Sequence, residues 1–222
     1  RSEYLSTEMS CTISHLRAIK RAFDDGVEVA LILEDDVTPH EEFGKNWRAI
    51  VASAPSSAGV LQLLNLNTGT LVKFSEVDES WVTWLPHHWG TSAYIVRRPA
   101  MRALLDAHRE WAFRKNVLAD EVIYLYGRAL TATFPWWNHR TDSTSLMKTR
   151  YESHDGEKSH LSSEVERIWA RRSPIREEEK NSRMDSLLIL TTLKGPVDDV
   201  QRHATEANVG AIPSADWVMD VV

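Results

Sequence analysis

Three carboxylates in a row, Glu34-Asp35-Asp36, follow the short apolar run 27–33. Adjacent like charges repel, and in an apolar surround each carboxyl prefers its protonated form, so a stable use for the three is to share a cation. Oxygen ligands of this kind suit Mn²⁺ or Mg²⁺. In extended backbone residues 34 and 36 project to one side and residue 35 to the other. Glu34 and Asp36 can then address one metal–nucleotide assembly, while Asp35 can accept hydrogen bonds from a ribose. A metal held there would grip the two phosphates of a nucleotide-sugar and neutralise charge on the leaving group, which is electrostatic catalysis. The triplet alone is read equally well as a solvated turn or a helix start.

Other chemistry-bearing residues are scattered. Asp120-Glu121 opens a helical stretch, where an acidic pair is also favoured by the helix dipole alone. Pro135-Trp136-Trp137-Asn138-His139-Arg140 is a second polar cluster that, like the first, follows a strand candidate. His15 lies beside the apolar stripe of the first helix and reads as a hydrogen-bonded structural histidine, with Ser14 similar. Trp81, Trp84, Trp89, Trp136 and Trp137 fall in expected loops, where flat rings can stack on a sugar, although core packing is the more ordinary use of any one of them. The lone cysteine, Cys11, excludes an internal disulfide and a cysteine-ligated metal site and reads as helix packing.

The elements that would position these groups alternate. Apolar residues Met9, Ile13, Leu16, Ile19 and Phe23 recur at helical spacing within 7–25, and Gly26 stops the helix. The run 27–33 reads as a strand covered on both faces, so the triplet sits at its carboxyl end, where ligands of open α/β sheets bind. A helix over about 41–54, strands at 60–66 and 91–96, and a helix opened by Pro99 and running to about 110 come next. Residues 67–89 have no clear period and predict loops or a small hairpin beside the site. A helix over 119–126 and a strand over 129–134 lead to the second cluster. Residues 151–183 are charged and apolar-poor, with a charge run at 176–180, and read as a mobile linker or surface helix. A strand at 186–192, a helix-like stretch at 197–207 and a strand near 217–222 close the chain. The pattern is α/β.

Composition narrows the partners. The 222 residues, 42% hydrophobic and 26% charged, suffice for one large or two small globular domains. A formal net charge of −6 without a dense basic stripe argues against nucleic acid. No apolar run reaches the length of roughly 18 residues that a membrane-spanning helix needs, and the polar start does not resemble a secretion signal. The chain opens with Arg1 rather than Met, which reads as an excerpt and leaves localisation open.

Four blocks in order carry a resemblance: Glu8-Met-Ser-Cys11-Thr-Ile-Ser14-His15-Leu16; Ala30-Leu-Ile-Leu-Glu34-Asp35-Asp36-Val37; Gly90-Thr91-Ser92-Ala93-Tyr94-Ile95-Val96 before a helix; and Asp120-Glu121 followed by Ser143-Thr-Ser145 after Pro135. Over roughly residues 5–150 the chain resembles glycosyltransferase family 25, the lipooligosaccharide and procollagen galactosyltransferase family. The resemblance implies a GT-A fold, Rossmann-like, with a mixed, mostly parallel sheet flanked by helices. It implies a UDP-hexose donor, often UDP-galactose, a glycan or protein acceptor, a divalent metal, and inversion at the anomeric carbon. Asp36, the last carboxylate, becomes the direct metal ligand, with Glu34 and Asp35 facing the nucleotide. His139 is placed to complete the metal site, its alternative being a surface histidine beside two tryptophans. Inversion needs a general base on the acceptor hydroxyl, for which Asp120 is the first choice and Glu121 the second.

The family normally opens with a strand, a helix and a second strand that hold the uridine, and nothing precedes Arg1. Residues 185–222 have the right order of elements to be that unit in a circularly permuted arrangement, or else begin a next domain. The expected organisation is therefore a catalytic core at 1–150, a charged linker or surface helix at 151–184, and the βαβ-like segment at 185–222. A catalytically idle GT-A domain that binds a glycan or protein is the competing reading. A metal-dependent phosphohydrolase is disfavoured because no nucleophilic Asp-x-Asp followed by Thr is seen.

Overall fold

A computed structural model describes residues 2–111, 118–140, 154–172, 187–192 and 217–221. The expected helix at 197–207, the charge run at 176–180 and the Ser143-Thr-Ser145 block lie outside those residues. In chain order the elements are α1 (Ser2–Asp24), β1 (Val29–Glu34), β2 (Val37–Pro39), α2 (Phe43–Ser53), β3 (Val60–Gln62), α3 (Thr68–Phe74), β4 (Trp81–Thr83), β5 (Ala93–Arg97) and α4 (Arg98–Trp111). They continue with a π-helix (Glu121–Leu125), β6 (Ala129–Ala132), β7 (Trp137–His139), α5 (His154–Arg171), β8 (Leu187–Thr192) and β9 (Trp217–Val221).

The main sheet has the order β4-β6-β3-β5-β1-β8-β9, and β2 pairs with β7 in a separate ribbon. β5 runs antiparallel to both β1 and β3, and β4 antiparallel to β6. The β1–β8, β3–β6 and β8–β9 pairs are parallel, so only β4 and β5 oppose the other strands of this mixed sheet.

β1 shows why the sheet is doubly covered. Every residue of its VALILE sequence is buried. Val29, Leu31 and Leu33 join one hydrophobic cluster with Phe43, Trp47 and Ile50 of α2 and Val165 and Ile168 of α5. Ala30 and Ile32 join the other, with Leu16 and Ile19 of α1, Met101 and Leu104 of α4, and Val122 and Ile123 of the π-helix. Each fully buried aliphatic side chain contributes about 1.5–3 kcal/mol, so an uninterrupted apolar run is stable only as an inner strand.

Two regions differ from the sequence expectation. The stretch 67–89 holds α3, capped by the Asn67 side chain accepting from the Thr70 N–H at 3.1 Å, and β4, which pairs with the distant β6 rather than in a local hairpin. Both elements are too short to show a period. The charged stretch after residue 151 contains α5, whose Leu161, Val165 and Ile168 are buried in the core.

Candidate active site

The acidic triplet lies where β1 ends. Glu34 is its last residue, Asp35 and Asp36 form the turn, and β2 starts at Val37. β7 returns antiparallel against β2, setting His139 opposite Val37, and the Arg140 N–H donates to the Asp36 carbonyl at 2.8 Å. This ribbon brings the two polar clusters of the sequence together. His139 Nδ1 stands 3.6 Å from Asp36 Oδ1, and both side chains are buried. The other ring nitrogen, Nε2, lies 3.2 Å from Ser92 Oγ.

Glu34 faces a different set of partners. Thr91 Oγ1 donates to its Oε1 at 3.0 Å, and Ser92 Oγ reaches Oε2 at 3.4 Å. His15 Nε2 is 3.5 Å from Oε1, and His15 Nδ1 is 3.2 Å from the Tyr94 hydroxyl. Burial pushes the Tyr94 phenol well above its ordinary value, so that hydroxyl keeps its proton at neutral pH. A Tyr94 hydroxyl that donates to Nδ1 leaves Nε2 to carry the ring N–H toward Glu34. The structural role expected for His15 is thus a buried network reaching the triplet. Cys11, His15 and Glu34 place ligand atoms within 4.8 Å of one another. Excluding any cysteine-bearing metal site on cysteine count alone was therefore too broad, although His15 and Glu34 are already hydrogen-bonded.

Asp120 is partly buried ahead of the π-helix, and its Oδ2 accepts the Gly90 N–H at 2.9 Å. Glu121 is exposed. Burial raises the Asp120 pKa, the Gly90 hydrogen bond opposes this, and the Glu34 charge adds to it. That coupling sets Asp120 within electrostatic reach of the triplet. The segment 88–90 is itself clamped. Gln62 Nε2 reaches the carbonyls of His88, Trp89 and Gly90 at 3.0, 3.1 and 2.9 Å, Thr131 Oγ1 donates to Gln62 Oε1 at 2.8 Å, and the Tyr124 hydroxyl donates to Gly90 O at 2.7 Å.

Sequence reasoning missed Gln62, Tyr124 and Thr131. The available signal was a lone amide in the otherwise apolar Val60-Leu-Gln62-Leu-Leu run. Of the five tryptophans expected in loops, Trp81 opens β4 and Trp137 opens β7; Trp84, Trp136 and Trp137 are buried and Trp81 is half-buried, which leaves Trp89, 55% exposed, as the ring of the five open to a ligand.

A mixed sheet flanked by helices, with buried carboxylates and a histidine at the carboxyl end of an inner strand, is consistent with a Rossmann-like glycosyltransferase. The chain belongs to glycosyltransferase family 25, whose model, described as an LPS biosynthesis protein family, matches residues 3–123. It is similar to the lacto-N-neotetraose biosynthesis glycosyltransferase LgtB of Neisseria meningitidis serogroup B, 31% identical over 116 residues, which is 46% of this chain and 41% of that protein. It is also similar to LgtE of the same strain, 29% identical over 111 residues, covering 45% and 38% of the two chains. LgtB of Neisseria gonorrhoeae is 32% identical over 116 residues, 46% of this chain and 40% of that one. The match thus spans less than half the length of each relative. No solved structure matches significantly. Among the described residues no helix is long and apolar enough to cross a membrane.

Proposed function

We propose that this chain is the catalytic domain of a metal-dependent, inverting glycosyltransferase of GT-A fold. It moves a hexose, galactose favoured, from a UDP-sugar to a glycan or hydroxylated acceptor. The observation that carries the reading is the meeting of Asp36 and His139 at the carboxyl end of β1 in a chain of this family. Their 3.6 Å separation is long for a hydrogen bond but suits two atoms facing one cation, and His139 Nδ1 is buried without a hydrogen-bond partner. Ser92 at Nε2 is the kind of outer contact that orients a ligating imidazole. Mn²⁺ or Mg²⁺ held by Asp36 and His139 would supply positive charge against the diphosphate leaving group.

The other roles fall to this chain's own groups. Both Glu34 oxygens accept hydroxyl hydrogen bonds, which suits it to shaping the donor pocket more than to direct ligation. Asp35, in the turn beside it, faces the nucleotide. Asp120 takes the proton of the attacking acceptor hydroxyl: burial strengthens it as a base, and the Gly90 N–H fixes its orientation. Glu121, exposed on the next residue, is the second choice. The parallel pairing of β8 with β1 supports the permuted arrangement, in which residues 185–222 supply strands that other members carry at the start.

The test is thermal stabilisation by UDP with and without Mn²⁺. A ligand at 100 times its Kd that binds only the native state raises stability by about 2.7 kcal/mol. Stabilisation should require both together, and a chain that neither stabilises is an idle GT-A domain. Asp36→Ala should abolish the effect. Asp120→Asn, which retains an oxygen for the Gly90 N–H, should keep the effect and lose transfer by about 10²-fold or more. Equal loss of UDP binding in both variants overturns this division of roles.

A further inference from the structure

A cleft of about 470 Å³ lies between α3, β4 and the loop 85–88. Its polar lining comes from Asn67, Thr70, Lys73, Thr83 and the two histidines of the loop, and its apolar surface from residues such as Phe74. That volume is in the range of small-molecule sites, which typically span about 300–1,000 Å³. The lining has hydroxyls, an amide and imidazoles but no carboxylate, in a chain whose net charge is −6. His88, held near pKa 4 by burial and by the neighbouring His87, is neutral at physiological pH, and with its Nδ1 engaged by the Leu85 N–H and Thr131 Oγ1 it lines the cleft as an uncharged wall. Hydroxyl-binding groups beside an aromatic ring match the two kinds of surface a sugar presents, polar edges and an apolar C–H face.

The cleft wall is also close in the chain to the candidate base. His88 is in its wall, Trp89 follows, and the Gly90 N–H holds Asp120 at 2.9 Å. Two residues of extended chain span at most about 7 Å, so wall and carboxylate are close neighbours along the loop. The exposed Trp89 ring belongs to the residue between them.

We infer that this cleft is the acceptor subsite and that its ligand is an oligosaccharide, bound so that its terminal hydroxyl passes Trp89 to reach Asp120. The inference rests on the glycosyltransferase reading above. It makes Thr83, Lys73 and His87 determinants of acceptor choice and separates them from the donor site at Asp36 and His139.

The test uses two substitutions in the full chain, with an array of neutral and acidic oligosaccharides probed in the presence of UDP and Mn²⁺. Thr83→Trp fills the cleft from an exposed position on an edge strand, where Trp is well tolerated. His87→Ala removes an exposed lining ring while leaving its carbonyl to the Asn67 amide, and it carries the test if the first variant does not fold. The unaltered chain should capture at least one oligosaccharide. Capture should weaken by about tenfold or more in Thr83→Trp, equivalent to about 1.4 kcal/mol, and severalfold in His87→Ala. The Mn²⁺-dependent UDP stabilisation should stay at its original size in both. Undiminished capture by both folded variants, no capture by the unaltered chain, or loss of the UDP effect in Thr83→Trp overturns the proposal. Absence of the UDP effect in the unaltered chain overturns instead the function on which it rests.

Discussion

Burial lifts the Asp120 carboxyl above the ordinary aspartate range; the Gly90 N–H resists the shift, Glu34 reinforces it and His15 resists it. A base must be ionised to act, so transfer at saturating donor should rise with pH through a midpoint above the ordinary value of about 3.9. Stability runs the other way. Because the folded-state pKa is raised, this group's contribution is fully present below the unfolded value and is lost as pH rises through the folded one. As the proposed base, Asp120 would trade stability for basicity in the interval where both states titrate. An acid limb centred at or below the ordinary aspartate value would sink the assignment. At this scale the sequence showed Asp36 and His139 as candidates, because a carboxylate and a histidine after strands are visible residue by residue, and Asp120 through the family resemblance. It did not show that Glu34 would be engaged by Thr91 and Ser92, because those hydroxyls arrive from the segment just before β5, more than fifty residues later.

The loop before β5 converts sheet geometry into site geometry. Gly90 sits at φ +104°, and a Cβ there would meet Leu66 Cγ at 2.3 Å. Its N–H serves Asp120 and its carbonyl receives both Gln62 and Tyr124. A side chain at this position must therefore move either the backbone or Leu66, and either shift carries the N–H away from Asp120. Gly90→Ala should cost roughly 1–3 kcal/mol. For a chain of this size that is on the order of 2–12 °C in calorimetry. The Asp120 midpoint should also rise, since the hydrogen bond that opposed its shift is weakened. An unchanged melting temperature together with an unchanged pH profile would show that the loop does not hold the carboxylate. Long periodic elements such as α1 and β1 were legible, since their apolar spacing is their cause. The β2–β7 ribbon was not, because each strand has three residues and their pairing is a long-range event. Yet that ribbon is what brings His139 to Asp36.

In the whole molecule, the segment at the far end of the chain lies against the strand that carries the triplet. β8 pairs in parallel with β1, with Ile189 beside Leu31, and β9 pairs with β8, with Met219 beside Ile189. The order of elements was readable in the sequence, but the neighbour of β8 was not, since periodicity says which residues form a strand and nothing about which strand they join. With β8 in place β1 is an inner strand, as its apolar run from Val29 to Leu33 and its complete burial require; without it, one side of the β1 backbone would lose its ladder partners. Proline at an inner position removes a ladder N–H and does not fit a paired strand. Ile189→Pro should therefore cost about 1–3 kcal/mol for the ladder carbonyl it leaves unpaired, out of a total typically near 5–15 kcal/mol. That corresponds to roughly 2–12 °C at this chain length. Because β1 ends in Glu34, the loosened strand should also weaken the Mn²⁺-dependent UDP effect, with no residue of the triplet altered. If residues 185–222 instead belonged to an independent unit, Ile189→Pro would leave both the main unfolding transition and UDP binding unchanged. That result would separate the C-terminal segment from the catalytic sheet and end the permuted reading.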